Sequence, residues 1–326
     1  MSDRNSASET VPAGEGAAEV ERPPRGPLAL ALRRLLRKKI AVAALVFIGV
    51  FYFCGLFAPV VAPRSYTDQN LDAVQQGPSL THPLGTDALG RDMLSRVIWA
   101  SRTTVVVTVA TLMMGGLVLA VGLGLLAGYA GGKVDTAIMR VGDVFFGLPG
   151  LPMLIMINAT VGERVRSMGW LGAIEKGLRI DGFPDYVVVF GALSLFAWVG
   201  GARIIRSQVL ALRETEYLTA ARAMGASTWR IIGRHLLPNV SNIVIVSLSA
   251  SLGAIAGTEI MLSWFGVGVQ PPTPSFGAML YEGGSIRTLQ AHPHLLLAPG
   301  AIIAGLIFSF NLLGDALTDV LTPHAR

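Results

Sequence analysis

The sequence predicts an all-α integral membrane protein with about six transmembrane helices, and three observations lead there. Apolar residues make up 52% of the chain and charged residues only 14%, where a soluble domain carries about 25% charged. Uncharged apolar runs recur along the chain, most of them near the about 20 residues that cross a bilayer core. Lys and Arg gather beside those runs, so the net charge of +5 reads as membrane topology and not as nucleic-acid binding.

The elements follow in order. Residues 1–27 are rich in Ser, Ala, Glu, Pro and Gly, and read as a disordered cytoplasmic tail. The basic run Arg33, Arg34, Arg37, Lys38, Lys39 leads into the uncharged stretch Ile40–Ala62. That stretch is too long and too far from Met1 for a cleaved signal peptide, so it reads as a retained first helix. Its lone cysteine, Cys54, excludes a disulfide framework and reads as a packing residue. Thr103–Gly132 is the second run and exceeds one span. The third begins among Lys133, Asp135, Arg140 and Asp143, then stays uncharged from Val144 to Gly162 with Pro149 and Pro152 inside. Tyr186–Ala202 is the fourth. Leu236–Thr258 is the fifth and continues past Glu259 into Ile260–Val269, and Leu295–Gly314 is the sixth.

Orientation follows from the connections. With the N-terminus inside, the inner segments hold 15 Lys and Arg and the outer ones 9. Cationic residues favour the cytoplasmic side, so both termini are expected there.

The inner segment 203–239 is more patterned than a spacer. Tyr217, Ala220, Ala221 and Met224 recur at i, i+3, i+4 and i+7, a helical stripe. Thr215 is its expected N-cap, Glu216 suits the positive end of the helix dipole, and Gly225 is the expected stop. A second short helix over Thr228–His235 is expected next, with Pro238 in the first turn of the fifth span. The two alanines leave room for a partner's backbone; an amphipathic helix resting on its own protein fits the same spacing.

Ala220-Ala221, three residues, Gly225, nine residues, His235, one residue, Leu237-Pro238 resembles the EAA loop of bacterial ABC importer permeases. Thr219 stands where that motif has its Glu, and His235 where it has Ile. His82-Pro83-Leu84-Gly85-Thr86-Asp87-Ala88-Leu89-Gly90-Arg91-Asp92 resembles the segment before the second helix in the C-type subunit of dipeptide, oligopeptide and nickel importers. Gly128–Asp135, Leu262–Gly277 and Asn311–Asp315 are similar to further segments of that subunit, so the resemblance spans Leu32 to Pro323 in order. It implies the type I ABC importer permease fold, with a permease domain over 28–326 and a cytoplasmic coupling loop over 207–238. Within that loop the resemblance assigns ATPase coupling to Glu216, Tyr217, Ala220, Ala221, Arg222, Met224, Gly225 and Pro238. It also implies a second homologous permease chain, ABC ATPase subunits that use ATP, an external or periplasmic substrate-binding protein, and a bacterial or archaeal inner membrane. One departure is the external connection 163–185, which is longer than usual. Trp170, Leu171, Ile174 and Leu178 make it a candidate interfacial helix, with a lid as the other reading.

Other candidate chemistry is sparse. Gly131-Gly132-Lys133 is followed by Val134, and Ala127 stands five residues before Gly132; G-x-x-x-x-G-K-[ST] is not met. No ATP site or other cofactor site is expected in this chain, and no catalytic activity. His292 and His294 lack a third metal ligand nearby in the sequence. Glu259 is the one acid deep in an apolar run; the expected role is bonding the glycine-rich turn after it, with substrate contact as the alternative. Asp87 and Arg91 are candidates for a structural or gating role, and Arg140 with Asp143 for a local ion pair at i, i+3. The expected function is permease for di- or oligopeptides, with nickel or another small solute as alternative cargo. A self-sufficient secondary transporter or channel is the competing class; it predicts mid-membrane ionisable groups and inverted repeats, which the spans lack.

The topology is testable. On a Cys54→Ala background, Ser79→Cys and Arg287→Cys should label with an impermeant thiol reagent in intact cells, and Ser227→Cys should not. Labelling at 227 with protection at 79 would reverse the orientation.

Overall fold

The computed structural model describes residues 35–178 and 180–321. The tail 1–27 and the pair Arg33 and Arg34 lie outside the described residues. Among the described residues all regular structure is helical, apart from one isolated bridge between Thr86 and Asp92. In chain order the helices are α1 (Lys39–Leu56), α2 (Met93–Ala130), α3 (Gly132–Gly147), α4 (Gly150–Arg166) and α5 (Gly169–Leu178). They continue with α6 (Phe183–Leu212), α7 (Glu216–Ala223), α8 (Thr228–Trp264), α9 (Phe276–Gly283), α10 (Ile286–Ala291) and α11 (His294–Leu321).

Five of these, α1, α2, α6, α8 and α11, are long and apolar enough to cross a membrane, and α3 and α4 match a sixth only when the bent pair is taken together as one span. That third span is not straight: its halves meet at 90°. Pro149 lacks an N–H and disfavours helical torsions in the residue before it, and Leu148 is extended at φ −81°, ψ 145°.

Several helices outrun the apolar runs that predict them. α2 starts ten residues before Thr103 because the Asp92 carboxylate accepts the Ser95 N–H at 2.8 Å and caps the helix there. Between Leu112 and Val121 α2 widens into π-type turns. α6 runs on to Leu212 and carries Arg203 and Arg206, which pair with Asp143 (2.5 Å) and Asp135 of α3. The expected Arg140–Asp143 pair is therefore replaced by a bond between helices. The expected break before the fifth span is also absent. α8 is continuous from Thr228 through Pro238, and a π-type stretch over Ile232–Leu236 takes up the helix irregularity just before the proline.

Lipid tails are as apolar as leucine, so spans associate through close packing. Along the α2–α6 contact, a Cβ built on Gly115 would lie 3.0 Å from Ser194 Cα, and one on Gly124 2.9 Å from the Ala202 carbonyl oxygen. A Cβ on Gly128 would lie 2.6 Å from Val209 Cβ, and one on Gly201 of α6 2.9 Å from Ala120 Cβ. Two apolar clusters flank this seam. One joins α1, α2, α8, α9 and α11 through Phe51, Met93, Phe276, Leu306 and Phe310. The other joins α2, α6 and α8 to α7 through Leu125, Ile205, Val209, Leu218 and Leu236.

The seam makes a direct prediction. Gly128→Leu must displace Val209 and the α6 backbone, so it should cost about 1–3 kcal/mol by overpacking. Gly122→Leu, on the same helix with nothing within 4 Å of its Cβ direction, should be near neutral. Melting of both purified variants in detergent distinguishes them, and equal midpoints would remove the seam's importance.

Candidate docking surface and the opposite polar face

The stripe expected on α7 is divided by the structure. Leu218 and Ala221 are buried at 0% and 5% exposure, Leu218 against Ile205, Val209 and Leu236, while Tyr217 and Met224 are 43% and 82% exposed. Ala220 is exposed with them. Ala221 thus faces its own protein, because the apolar i, i+3 pair Leu218–Ala221 buries more area inward than Ala221 would outward. The outward row is Tyr217, Ala220 and Met224, rimmed by the exposed Glu216 and Arg222.

Local chemistry fixes this helix at both ends. Thr215 occupies the N-cap position, but its hydroxyl donates back to the Leu212 carbonyl at 2.6 Å and does not cap. Gly225 at φ +80° closes the helix, with Ala226 N–H donating to the Ala221 carbonyl and Gly225 N–H to the Arg222 carbonyl. This is a Schellman closure, and it needs a residue that tolerates the left-handed region. Nothing lies within 4 Å of a Cβ added there, so the constraint at Gly225 is torsional. Tyr217 is steadied by Asn239 of α8, whose side-chain N–H donates to its hydroxyl at 3.1 Å. Arg222 lies over the Tyr129 ring at 5.2 Å. Pro238 is exposed on α8 next to Asn239.

At the opposite end of the bundle Asp87 and Arg91 belong to a larger network. Asp87 is buried and accepts N–H bonds from Leu89 and Arg91 backbones, the Arg91 side chain at 2.6 Å and Arg96 at 2.5 Å. Arg96, also buried, forks onto Glu282 of α9 at 2.7 and 3.1 Å. His82 bonds the helix-capping Asp92 at 2.9 Å. The segment containing Asp87 is legible in sequence. Glu282 is not, because 186 residues separate it from Arg96 and only the packing of α9 brings them together.

Glu259 is fully buried and accepts from Thr104 at 2.9 Å and from Ser263 at 3.0 Å. It ties α8 to α2 and does not bond the glycine-rich turn, which closes through its own backbone from Val267 N–H to the Leu262 carbonyl. The connection 163–185 contains the expected short helix as α5, with Leu171 buried and Trp170 exposed. Beyond it, the Tyr66 hydroxyl donates to Asp181 at 3.1 Å. Burial first and that carboxylate second push the Tyr66 hydroxyl up to about 12.

Residues 120–326 match the family described as the binding-protein-dependent transport system inner membrane component, and residues 26–78 match the N-terminal TM domain of oligopeptide transport permease C. The chain is 35% identical over 297 residues to the glutathione transport system permease protein of Pectobacterium atrosepticum, 90% of each chain. It is 34% identical over 310 residues to the dipeptide transport system permease protein of Bacillus subtilis, covering 95% of this chain and 90% of that one. The oligopeptide transport system permease protein of Bacillus subtilis is 30% identical over 318 residues, 97% and 96% of the two chains. This chain belongs to the family of binding-protein-dependent inner membrane transport components, as a multi-pass ABC permease subunit.

The polar network yields a stability prediction. Asp87→Asn leaves the buried Arg96 with half its counter-charge, and breaking a buried pair costs about 3–5 kcal/mol. Arg91→Gln, at a more accessible position, should cost less. Thermal midpoints that fall equally in the two would contradict this ranking.

Proposed function

We propose that this chain is the permease subunit through which an ATP-driven importer moves di- or oligopeptides across the cytoplasmic membrane. The observation that carries the coupling role is α7: it is anchored by Leu218 and Ala221, closed by Gly225, and presents Tyr217, Ala220 and Met224 outward. Glu216, Tyr217, Ala220, Arg222, Met224 and Gly225 form or shape the surface that meets an ATPase subunit in the cytoplasm. Ala221 and Pro238 act from behind it, one by packing and one at the irregular start of α8. The dipeptide, oligopeptide and glutathione cargoes for which those relatives are named support a peptide cargo.

In this reading the chain pairs with a second homologous permease chain, and an external binding protein delivers the peptide. ATP is bound and hydrolysed on the partner subunits. Closure of those subunits displaces α7, and because α7 is packed against α6 and α8 the displacement reaches the spans. Asp87, Arg91 and Arg96 hold the external ends of the spans in register with α9 during that movement.

Ala220→Trp should leave expression and membrane insertion normal while abolishing ATPase docking and peptide-stimulated hydrolysis. Ala221→Trp should instead lower the yield of folded chain, since Ala221 is buried and a large ring there must displace its neighbours. Gly225→Val should uncouple, because a β-branched residue is strongly disfavoured at positive φ. Full transport with both Ala220→Trp and Gly225→Val would falsify the coupling assignment. Peptide accumulation by proteoliposomes holding this chain alone under a proton gradient would establish a secondary transporter in its place.

A further inference from the structure

The outward face of α7 continues onto the first turns of α8. Gly225 closes α7, and α8 begins at Thr228. Leu218 of α7 shares one cluster with Ile231 and Leu236 of α8, all three fully buried. Tyr217 is held to α8 by the Asn239 bond at 3.1 Å, and its ring centroid lies 6.4 Å from that of His235. The two helices therefore present their outer sides as one surface. Burial of Ile231 and Ile232 turns Trp229, Arg230 and Arg234 to the outside, where all three are exposed.

Trp229 is 77% exposed, whereas tryptophan is highly buried on average. A place in the aromatic belt at the membrane boundary would explain such exposure, but its position on the helix argues against that. The apolar run of α8 starts at Leu236, and the rise from residue 229 to 236 is about 10 Å. The headgroup layer beyond a hydrocarbon core is only about 5–8 Å deep. Helical side chains also lean toward the helix N-terminus, which carries the indole farther from the bilayer. Trp229 thus stands beyond the lipid, on the same surface as Met224 at 82% exposure, with two exposed guanidinium groups beside it. Trp and Arg are the residue types enriched among those that carry most of the binding energy of protein interfaces.

We propose that Trp229 is the anchor of the contact between this chain and its ATPase subunit. The indole enters an apolar pocket of that subunit, and the pocket has an acidic rim that meets Arg230 and Arg234. The inference rests on the coupling role given to α7 above and extends the contact to α8. An indole turns about only two side-chain bonds, so fixing it in a pocket costs little conformational entropy. The exposed arginines act chiefly on the rate of encounter and on its dependence on salt.

The test is binding of the ATPase subunit to the assembled permease pair in nanodiscs, followed by interferometry. Trp229→Ala should weaken binding about thirtyfold, the loss expected of a hot spot, and Trp229→Phe should weaken it less. The melting midpoint should hold in both, because the side chain is exposed. Arg230→Glu with Arg234→Glu should slow association. Raising salt from about 50 to about 500 mM should weaken the unsubstituted chain and strengthen that double variant. The indole also reports directly: the emission lost in Trp229→Phe should shift to shorter wavelength when the ATPase subunit binds. Unchanged affinity in Trp229→Ala overturns the anchor. If Ala220→Trp then still abolishes binding, the contact is confined to α7 and the coupling role stands. If neither variant affects binding, the coupling role falls as well. Quenching of the Trp229 emission by brominated lipid, with ATPase affinity kept in Trp229→Ala, makes the indole a membrane anchor and overturns the proposal.

Discussion

The contact between α2 and α6 brings two span backbones together at a row of glycines, and two apolar clusters lie on either side of it. In lipid no hydrophobic force drives such helices together, so the approach allowed at Gly115, Gly124 and Gly128 supplies dispersion contacts that larger side chains would prevent. From that seam the chain builds in both directions. Toward one end, Val209 and Leu218 pack α7 against α6, and Arg206 of α6 holds α3 through Asp135. Toward the other, α2 ends in a capped start whose Arg96 fastens α9. A single tight interface thus fixes the relative position of two polar faces at opposite ends of the molecule.

Those two faces differ in kind. The Asp87–Arg96–Glu282 network is closed upon itself, with most of its donors and acceptors consumed internally. The α7 face is open, since Met224 and nearby Trp229 stand 82% and 77% exposed with no internal occupant. Polar networks paired mostly within themselves resist rearrangement, although Arg96 Nε here is buried without a partner among the described residues, whereas exposed apolar patches are a common mark of interaction surfaces. The two ends therefore differ in chemistry, one bonding inward and the other leaving large apolar side chains exposed.

Much of this was legible in the sequence. The spans, the short helix between the fourth and fifth of them and its stop at Gly225 follow from hydropathy, helical spacing and the torsional freedom of glycine. What periodicity could not decide was which of two adjacent alanines faces inward. In a helix, residues at i+3 and i+4 flank the same face, and only the position of Leu218 in the neighbouring cluster separates Ala220 from Ala221. Helix ends were also hidden, because α2 and α6 extend into charged stretches whose residues find partners on other helices. Arg96–Glu282 and Asp143–Arg203 are long-range pairs that no local pattern encodes. The bend at Pro149 was visible as a proline but not as a 90° turn.

The continuity of α8 has a mechanical consequence. Its 37 residues, at 1.5 Å each, make a rod about 55 Å long, nearly twice the thickness of a hydrocarbon core of about 30 Å. One end abuts α7 through Ile231 and Leu236, and the other carries Glu259, which bonds Thr104 of α2. For a rod of that length, a tilt of about 5° about the midpoint swings each tip by about 2 Å in opposite senses. The irregular turns at Ile232–Leu236 sit at the tip that abuts α7, so the rod's one helical irregularity before Pro238 coincides with its contact to that short helix.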